Sequence, residues 1–275
     1  MKAQSVCDNP LWRRVSSSSP VPIPGWKRAL DIGLFLAAFP LLLPLALLIA
    51  CLIRMVSPGP VLFKQERVGY RGSRFLCFKF RTMVVNADTT VHQGYLHHLM
   101  NSNVPMVKMD ARGDPRMIPF GALLRSSGLD ELPQLINVLR GEMSLVGPRP
   151  CLPYEYDRYL PWQKERFDSA PGLSGLWQVS GKNRTTFVEM IRLDIHYARN
   201  KTFWLDLKII LKTVPALIGQ MRDARQRQKP LSRPARSEAV VPALTANRYS
   251  LRGAAFTAVI QTNRQSFSNQ APWNQ

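Results

Sequence analysis

One apolar run dominates the hydrophobic pattern of this chain. Between Asp31 and Arg54 lie 22 residues without a charge. At about 1.5 Å per residue, a helix of that length just covers a hydrocarbon core about 30 Å thick. Two prolines, Pro40 and Pro44, interrupt the run. Pro44 removes a backbone hydrogen bond and clashes with the carbonyl of residue 40, which bends or breaks a helix. Both flanks are basic, with Lys2, Arg13, Arg14, Lys27 and Arg28 before the run and Arg54, Lys64, Arg67 and Arg71 after it. Positive charge favours the cytoplasmic side, so a spanning helix violates that preference at one end whichever way it points. The pattern therefore predicts a kinked, re-entrant membrane helix over residues 25–56. A spanning helix and a buried helix of a soluble protein are the competing readings. A cleavable signal peptide is excluded, because the run is too long, begins too late and lacks a small-x-small site before Arg54.

The remaining pattern is short and mixed. Residues 1–24, with Ser16 to Ser19 and alternating Pro20, Pro22 and Pro24, read as a disordered leader. Ser57 to Phe63 reads as a turn into a strand and Phe75 to Met83 as a second strand across the Gly69 to Gly72 turn, the pattern of a hairpin. Helical spacing is found over Asn86 to Asn101, Ala122 to Ser127, Leu132 to Leu139, Trp162 to Phe167, Thr186 to Ala198 and Trp204 to Met221. Pro171 to Arg184 reads as a loop holding a short strand. In the Trp204 to Met221 segment, Lys208 and Lys212 stand among leucines and isoleucines. That suits an interfacial amphipathic helix lying among headgroups, and equally suits ordinary core packing. The fold class is α+β: a small mixed domain over 57–221 carried by the membrane helix. Residues 222–275 hold nine Lys or Arg against Asp223 and Glu238, without a lasting apolar period, and read as a basic disordered tail.

Charge narrows the partners. Lys and Arg outnumber Asp and Glu by 37 to 18, a net charge of +19, which calls for nucleic acid, an anionic bilayer or a phosphorylated substrate. No finger, helix-turn-helix or aromatic-basic RNA signature is present, so nucleic acid is set aside. Cys7, Cys51, Cys77 and Cys151 are scattered without a CxxC pair, as reduced, individually packed thiols are. His92, His97 and His98 lack a fourth ligand at a suitable spacing and read as surface or packing residues.

The candidate chemistry lies in RSSGLDELPQLINVLRGEMSLVGPRP, Arg125 to Pro150. Asp130 and Glu131 stand at the start of a helical run, where an Asp cap and a Glu in the first turn are ordinary. The same position concentrates unpaired N–H groups, which favour an ionised carboxylate and a bound phosphate. A second adjacent carboxylate can hold Mg²⁺ when a diphosphate approaches. Arg125 and Arg149 are placed to help, and Lys79 and Arg81 share one face if their segment is a strand. Two acids among basic clusters describe a phosphate-handling site.

These residues resemble the bacterial sugar transferases, monotopic phosphoglycosyltransferases that prime exopolysaccharide synthesis. The resemblance runs from Lys27 to about Ile218 through KRALD (27–31), SPGPVLFKQERVG (57–69), KFRTM (79–83), DPR (114–116), LDELPQLINVLRGEMSLVGPRP (129–150), PGLSGLWQVSGKNR (171–184), LDIHYARN (193–200) and LDLKIILKT (205–213). It implies transfer of a sugar 1-phosphate from a UDP-sugar to undecaprenyl phosphate at the cytoplasmic face of the bacterial inner membrane. It further implies Asp130 as nucleophile, forming a covalent phosphosugar, and Glu131 as ligand of Mg²⁺. Lys79, Arg81, Arg125 and Arg149 become phosphate-binding candidates, with Asp194 a further site residue. Lys27 and Arg28 match the family's headgroup pair, and Pro44 the break of its re-entrant helix. Val91 to Met109 is extra relative to the smallest members, as in enzymes that use galactose or glucose, so a UDP-hexose is expected. A homodimer and downstream glycosyltransferases are the partners such an enzyme invites. The non-enzyme alternative is a membrane-bound adaptor or regulator on the same scaffold, and the intact Asp130, Glu131 and Arg149 speak against it.

Overall fold

A computed structural model describes residues 21–85, 94–95, 99–100, 102, 104–106, 114, 116–181 and 185–228. The leader up to residue 20, the tail from residue 229, His92, His97, His98 and much of the Asn86 to Met109 stretch lie outside the described residues. The fold is mixed helix and strand, led by the apolar helix.

Helix α1, Gly25–Val56, runs through Pro40 and Pro44, so the break expected at Pro44 is not found; the flanking turns carry the helix across the one missing N–H. Its buried residues lie only towards its two ends: Lys27 and Asp31 at the start, Ile49 and Ile53 near the finish. Between them Leu36, Leu41 and Leu47 are more than half exposed, an apolar surface too large for water to favour. The far end of α1 packs Ile49 and Ile53 against Phe80, Ile118 and Leu124.

Strands β1, Leu62–Val68, and β2, Arg74–Phe80, form an antiparallel hairpin as expected, but β1 begins where the expected strand ends and β2 stops before Met83; Phe63 stands opposite Lys79 and Val68 opposite Arg74. The chain returns at helix α2, Gly121–Ser127, then a 3-10 turn over Leu129–Gln134 and helix α3, Leu135–Leu139. Leu132 to Leu139 is thus a 3-10 turn followed by α-helix. Pro133 has no N–H with which to continue an α-helical ladder into the preceding residues.

Strand β3, Ser144–Val146, pairs in parallel with β4, Gly172–Ser174. Between them lie α4, Pro153–Tyr156, and a 3-10 segment, Pro161–Asp168. Backbones meet closely here: a Cβ on Gly172 would stand 2.0 Å from the Gly147 nitrogen, and one on Gly147 would stand 2.3 Å from the Ala170 oxygen. Only glycine permits that approach. Helix α5, Leu176–Val179, takes the place of part of the expected loop. Helix α6, Phe187–Asn200, starts on a capping box in which Thr186 and Glu189 bond each other's backbone N–H. Helix α7, Phe203–Gln228, runs past Met221, so the first seven residues of the expected tail are helical.

Candidate active site

The acid pair sits on the 3-10 turn between α2 and α3. Gly128 precedes it in the left-handed region, with φ 76°, and Asp130 and Glu131 occupy its first turn. Asp130 is therefore not a helix N-cap; Gly128 holds that position, and no side-chain cap bond is made. Leu129 and Leu132, on either side of the acids, pack against the cluster of Ile49, Ile53 and Phe80. That anchoring draws Asp130 down to 8% exposure.

Cations frame Glu131. Its Oε1 accepts from Lys79 Nζ at 2.9 Å and from Arg149 Nη2 at 3.0 Å. All three side chains are at least two-thirds buried, where solvent screening is weaker than at the open surface. The Glu131 carboxylate, and to a smaller degree Asp130, makes the Arg149 guanidinium still harder to deprotonate. Lys79 comes from β2, Glu131 from the 3-10 turn and Arg149 from the loop after β3, so three distant stretches converge on one carboxylate. Burial pushes up the thiol of Cys77, two residues before Lys79.

The Arg149 loop is held along its backbone. Gly172 N donates to Pro148 O at 2.9 Å, Arg166 Nη2 to Arg149 O at 3.0 Å, and Arg67 Nη1 to Pro150 O at 3.2 Å. Upstream, Leu145 N donates to Asp31 Oδ1 at 3.0 Å and Tyr197 Oη to Val146 O at 3.1 Å. A guanidinium positioned in this way acts on charge without paying for reorganisation during reaction.

Other expected site residues lie elsewhere. The Arg81 guanidinium is committed to backbone carbonyls rather than to the acid pair. The strand ends at Phe80, and the buried Arg81 turns to donate to Ser57 O at 2.8 Å and Pro58 O at 2.7 Å. It ties the end of α1 to β2, because a buried guanidinium needs acceptors and these carbonyls supply them. Asp194 is fully buried and paired with Arg166. Burial pushes its carboxyl up to about 6 against the pull of Arg166. It supports Arg149 through Arg166. Arg125 lies on α2, its carbonyl accepting from Gln220 Nε2 at 3.1 Å and its guanidinium reaching Met117 Sδ at 3.9 Å.

The headgroup position expected of Lys27 is corrected. Its side chain is 1% exposed, ion-paired with Asp206 and donating to Tyr197 Oη at 2.9 Å. Asp206 is itself buried, so the ammonium is drawn inward by a carboxylate that would otherwise lack a countercharge. Arg28 donates to the carbonyls of Val138 and Leu139 at the end of α3, a favourable place for a cation.

Sequence reasoning missed Arg166, Arg67, Asp31, Tyr197 and Asp206 as supports of the site. Asp31, Tyr197 and Asp206 stand in the KRALD, LDIHYARN and LDLKIILKT blocks, and an Asp followed by a long apolar run is a usable signal of a buried polar partner.

The donor set fits Mg²⁺. That ion binds through one or two carboxylates and fills its octahedron with water and substrate phosphate oxygens. Glu131, with Asp130 beside it, offers this kind of ligand. Among the described residues no group of three or more His, Cys, Asp or Glu could build a complete cage.

Carboxylates framed by cations, close to the end of a long exposed apolar helix, define a membrane-associated enzyme built for anionic groups. The comparisons make the class specific. The family model for bacterial sugar transferases matches residues 24–220. The chain is 37% identical over 191 residues to the exopolysaccharide production protein ExoY of Sinorhizobium fredii, covering 70% of this chain and 84% of that protein. It is 42% identical over 200 residues to the UDP-glucose:undecaprenyl-phosphate glucose-1-phosphate transferase of Caulobacter vibrioides, covering 70% and 69%. It is 37% identical over 166 residues to the undecaprenyl-phosphate galactose phosphotransferase of Salmonella typhimurium, covering 58% and 34%. The chain belongs to the bacterial sugar transferase family.

Proposed function

We propose that this protein transfers hexose 1-phosphate from UDP-galactose or UDP-glucose to undecaprenyl phosphate, the priming step of exopolysaccharide synthesis. The observation that carries the reading is the Glu131 carboxylate held between Lys79 and Arg149, with Asp130 next to it. A carboxylate oxygen of Asp130 attacks the phosphorus joined to the sugar. The bond from that phosphorus to the bridging oxygen breaks, and UMP leaves with the electron pair. An oxygen of undecaprenyl phosphate then attacks the same phosphorus, forming the lipid diphosphate sugar and releasing the Asp130 carboxylate. Dividing one displacement into two is the gain of covalent catalysis. Lys79 and Arg149 offset the repulsion between a carboxylate and a diphosphate, the main demand of phosphoryl transfer. Mg²⁺ held by Glu131 supplies further neutralisation of the diphosphate when bound.

The re-entrant reading of α1 is supported by its attachments. Lys27, Arg28 and Asp31 bond to α7, α3 and β3 at one end, and Ser57 and Pro58, just past the other end, bond to Arg81. Attachment of both ends to one domain favours a helix that enters and leaves the bilayer on one side. An apolar groove lined by Ile49, Leu52, Val56, Phe120 and Leu124 lies where α1 meets α2. On α7, Trp204, Leu211, Val214 and Ile218 are exposed, which supports an interfacial helix resting on the cytoplasmic face.

Membranes carrying the protein are expected to release UMP from UDP-galactose or UDP-glucose when undecaprenyl phosphate is supplied. No release from any UDP-hexose would favour the adaptor. In Glu131→Gln the rate is expected to depend less steeply on Mg²⁺ concentration and to fall about 10²-fold, as for loss of a transition-state charge partner; an unchanged Mg²⁺ dependence would remove Glu131 from the metal. Cysteines placed at Lys2 and at Gln275 are both expected to escape an impermeant maleimide in intact cells, whereas labelling at position 2 would establish a spanning helix.

A further inference from the structure

The first two turns of α1 carry a buried polar cluster that neither capping nor membrane anchoring requires. Lys27 and Asp31, four residues apart, share one helix face and are each 1% exposed. Lys27 meets Asp206 of α7 and Tyr197 of α6; Asp31 Oδ1 accepts from Ser144 Oγ at 3.0 Å and Leu145 N at 3.0 Å on β3. Burying one ammonium and two carboxylates is costly, and an apolar substitute is often at least as stable.

The Tyr197 hydroxyl shows where the cluster leads. Its oxygen accepts from Lys27 at 2.9 Å, while its single proton lies between Asp206 Oδ1 at 2.7 Å and Val146 O at 3.1 Å. Lys27 pairs with Asp206, and the Tyr197 hydroxyl links that pair to the Val146 carbonyl. Val146 ends β3 and is followed by Gly147, Pro148 and Arg149. Asp31 grips the same strand one and two residues earlier. The seat of the membrane helix thus fixes the root of the loop whose guanidinium meets Glu131 at 3.0 Å.

We propose that Lys27, Asp31, Tyr197 and Asp206 are positioning residues that couple the seating of the membrane helix to the placement of Arg149. The proposal rests on the assignment of Arg149 to the phosphate-handling site. Because phosphoryl transfer depends mainly on positioning and charge, a small displacement of Arg149 lowers turnover more than it lowers donor affinity.

The test is a double-mutant cycle on the full chain in lipid nanodiscs, using Tyr197→Phe, which removes one hydroxyl and keeps the ring packed. In the wild-type background this substitution is expected to lower kcat about tenfold, with KM for the UDP-hexose within about twofold. In an Arg149→Lys background it is expected to lower kcat less than twofold, since residues that act through one group are not additive. Equal losses in the two backgrounds would mean a merely structural role and overturn the proposal, as would a loss under twofold in the wild type. Amide exchange gives a readout that needs no turnover: Leu145 to Gly147 should exchange faster in Tyr197→Phe, with α1 and α6 unchanged, and unaltered exchange there also overturns the coupling. A wild-type protein that releases no UMP contradicts the functional reading itself, and amide exchange then decides the coupling alone.

Discussion

Asp130→Asn is expected to reduce UMP release by about 10⁴-fold or more, the scale seen when a covalent nucleophile is removed. The exchange keeps the size of the side chain and removes only its nucleophilic oxygen anion. Asp130 is 8% exposed and its turn is anchored by Leu129 and Leu132 in the apolar cluster beneath α1, so the fold should stay in place and melting should shift little. A kinetic assay with UDP-hexose and undecaprenyl phosphate, run beside a melting curve, separates the two effects. A variant that keeps a tenth of the activity would take the nucleophile's role from Asp130.

Asp194→Ala should have the largest effect on stability. Arg166 and Asp194 are each 1% exposed at the side chain, so removing the carboxylate strands a guanidinium in the interior at a cost of about 3–5 kcal/mol. Tyr159 Oη, which accepts from Arg166 at 2.9 Å, cannot replace the lost charge. The double variant Asp194→Ala with Arg166→Met should recover most of the stability, because the buried charge is gone. It should not recover turnover, because Arg149 O has lost the donor at 3.0 Å that steadies its loop. Denaturant unfolding of the single and double variants, with kcat measured on each, checks both halves. A single variant as stable as the wild type would show that the pair is not a support.

The contrast between Asp130 and Asp194 shows what was legible in the sequence. The apolar helix, the β1–β2 hairpin and helices α6 and α7 follow from periodicity and turn residues, which are local signals. The gathering of Lys79 and Arg149 at Glu131 was also within reach, because cations must gather where an anionic substrate meets carboxylates. Side chains whose role depends on a distant partner were not. Arg81 reads as a phosphate ligand beside Lys79, yet the Ser57 and Pro58 carbonyls claim its guanidinium. Lys27 looked like a headgroup ligand, yet Asp206, 179 positions away, takes it inward. Asp194 reads as a candidate beside phosphate until Arg166 is seen to occupy it. The end of α7 was misplaced because its last turns are polar and basic, so periodicity fades while the backbone remains helical to Gln228.

If Asp130 carries the sugar phosphate, the covalent adduct can be isolated on it. Purified full-length protein would be incubated with UDP-glucose or UDP-galactose and Mg²⁺, without undecaprenyl phosphate, then digested and mapped by mass spectrometry. A hexose-phosphate mass is expected on the peptide containing Asp130 with at least one donor, and none in Asp130→Asn. No adduct with any UDP-hexose, while transfer to undecaprenyl phosphate persists, would contradict it and mean direct transfer between two bound substrates.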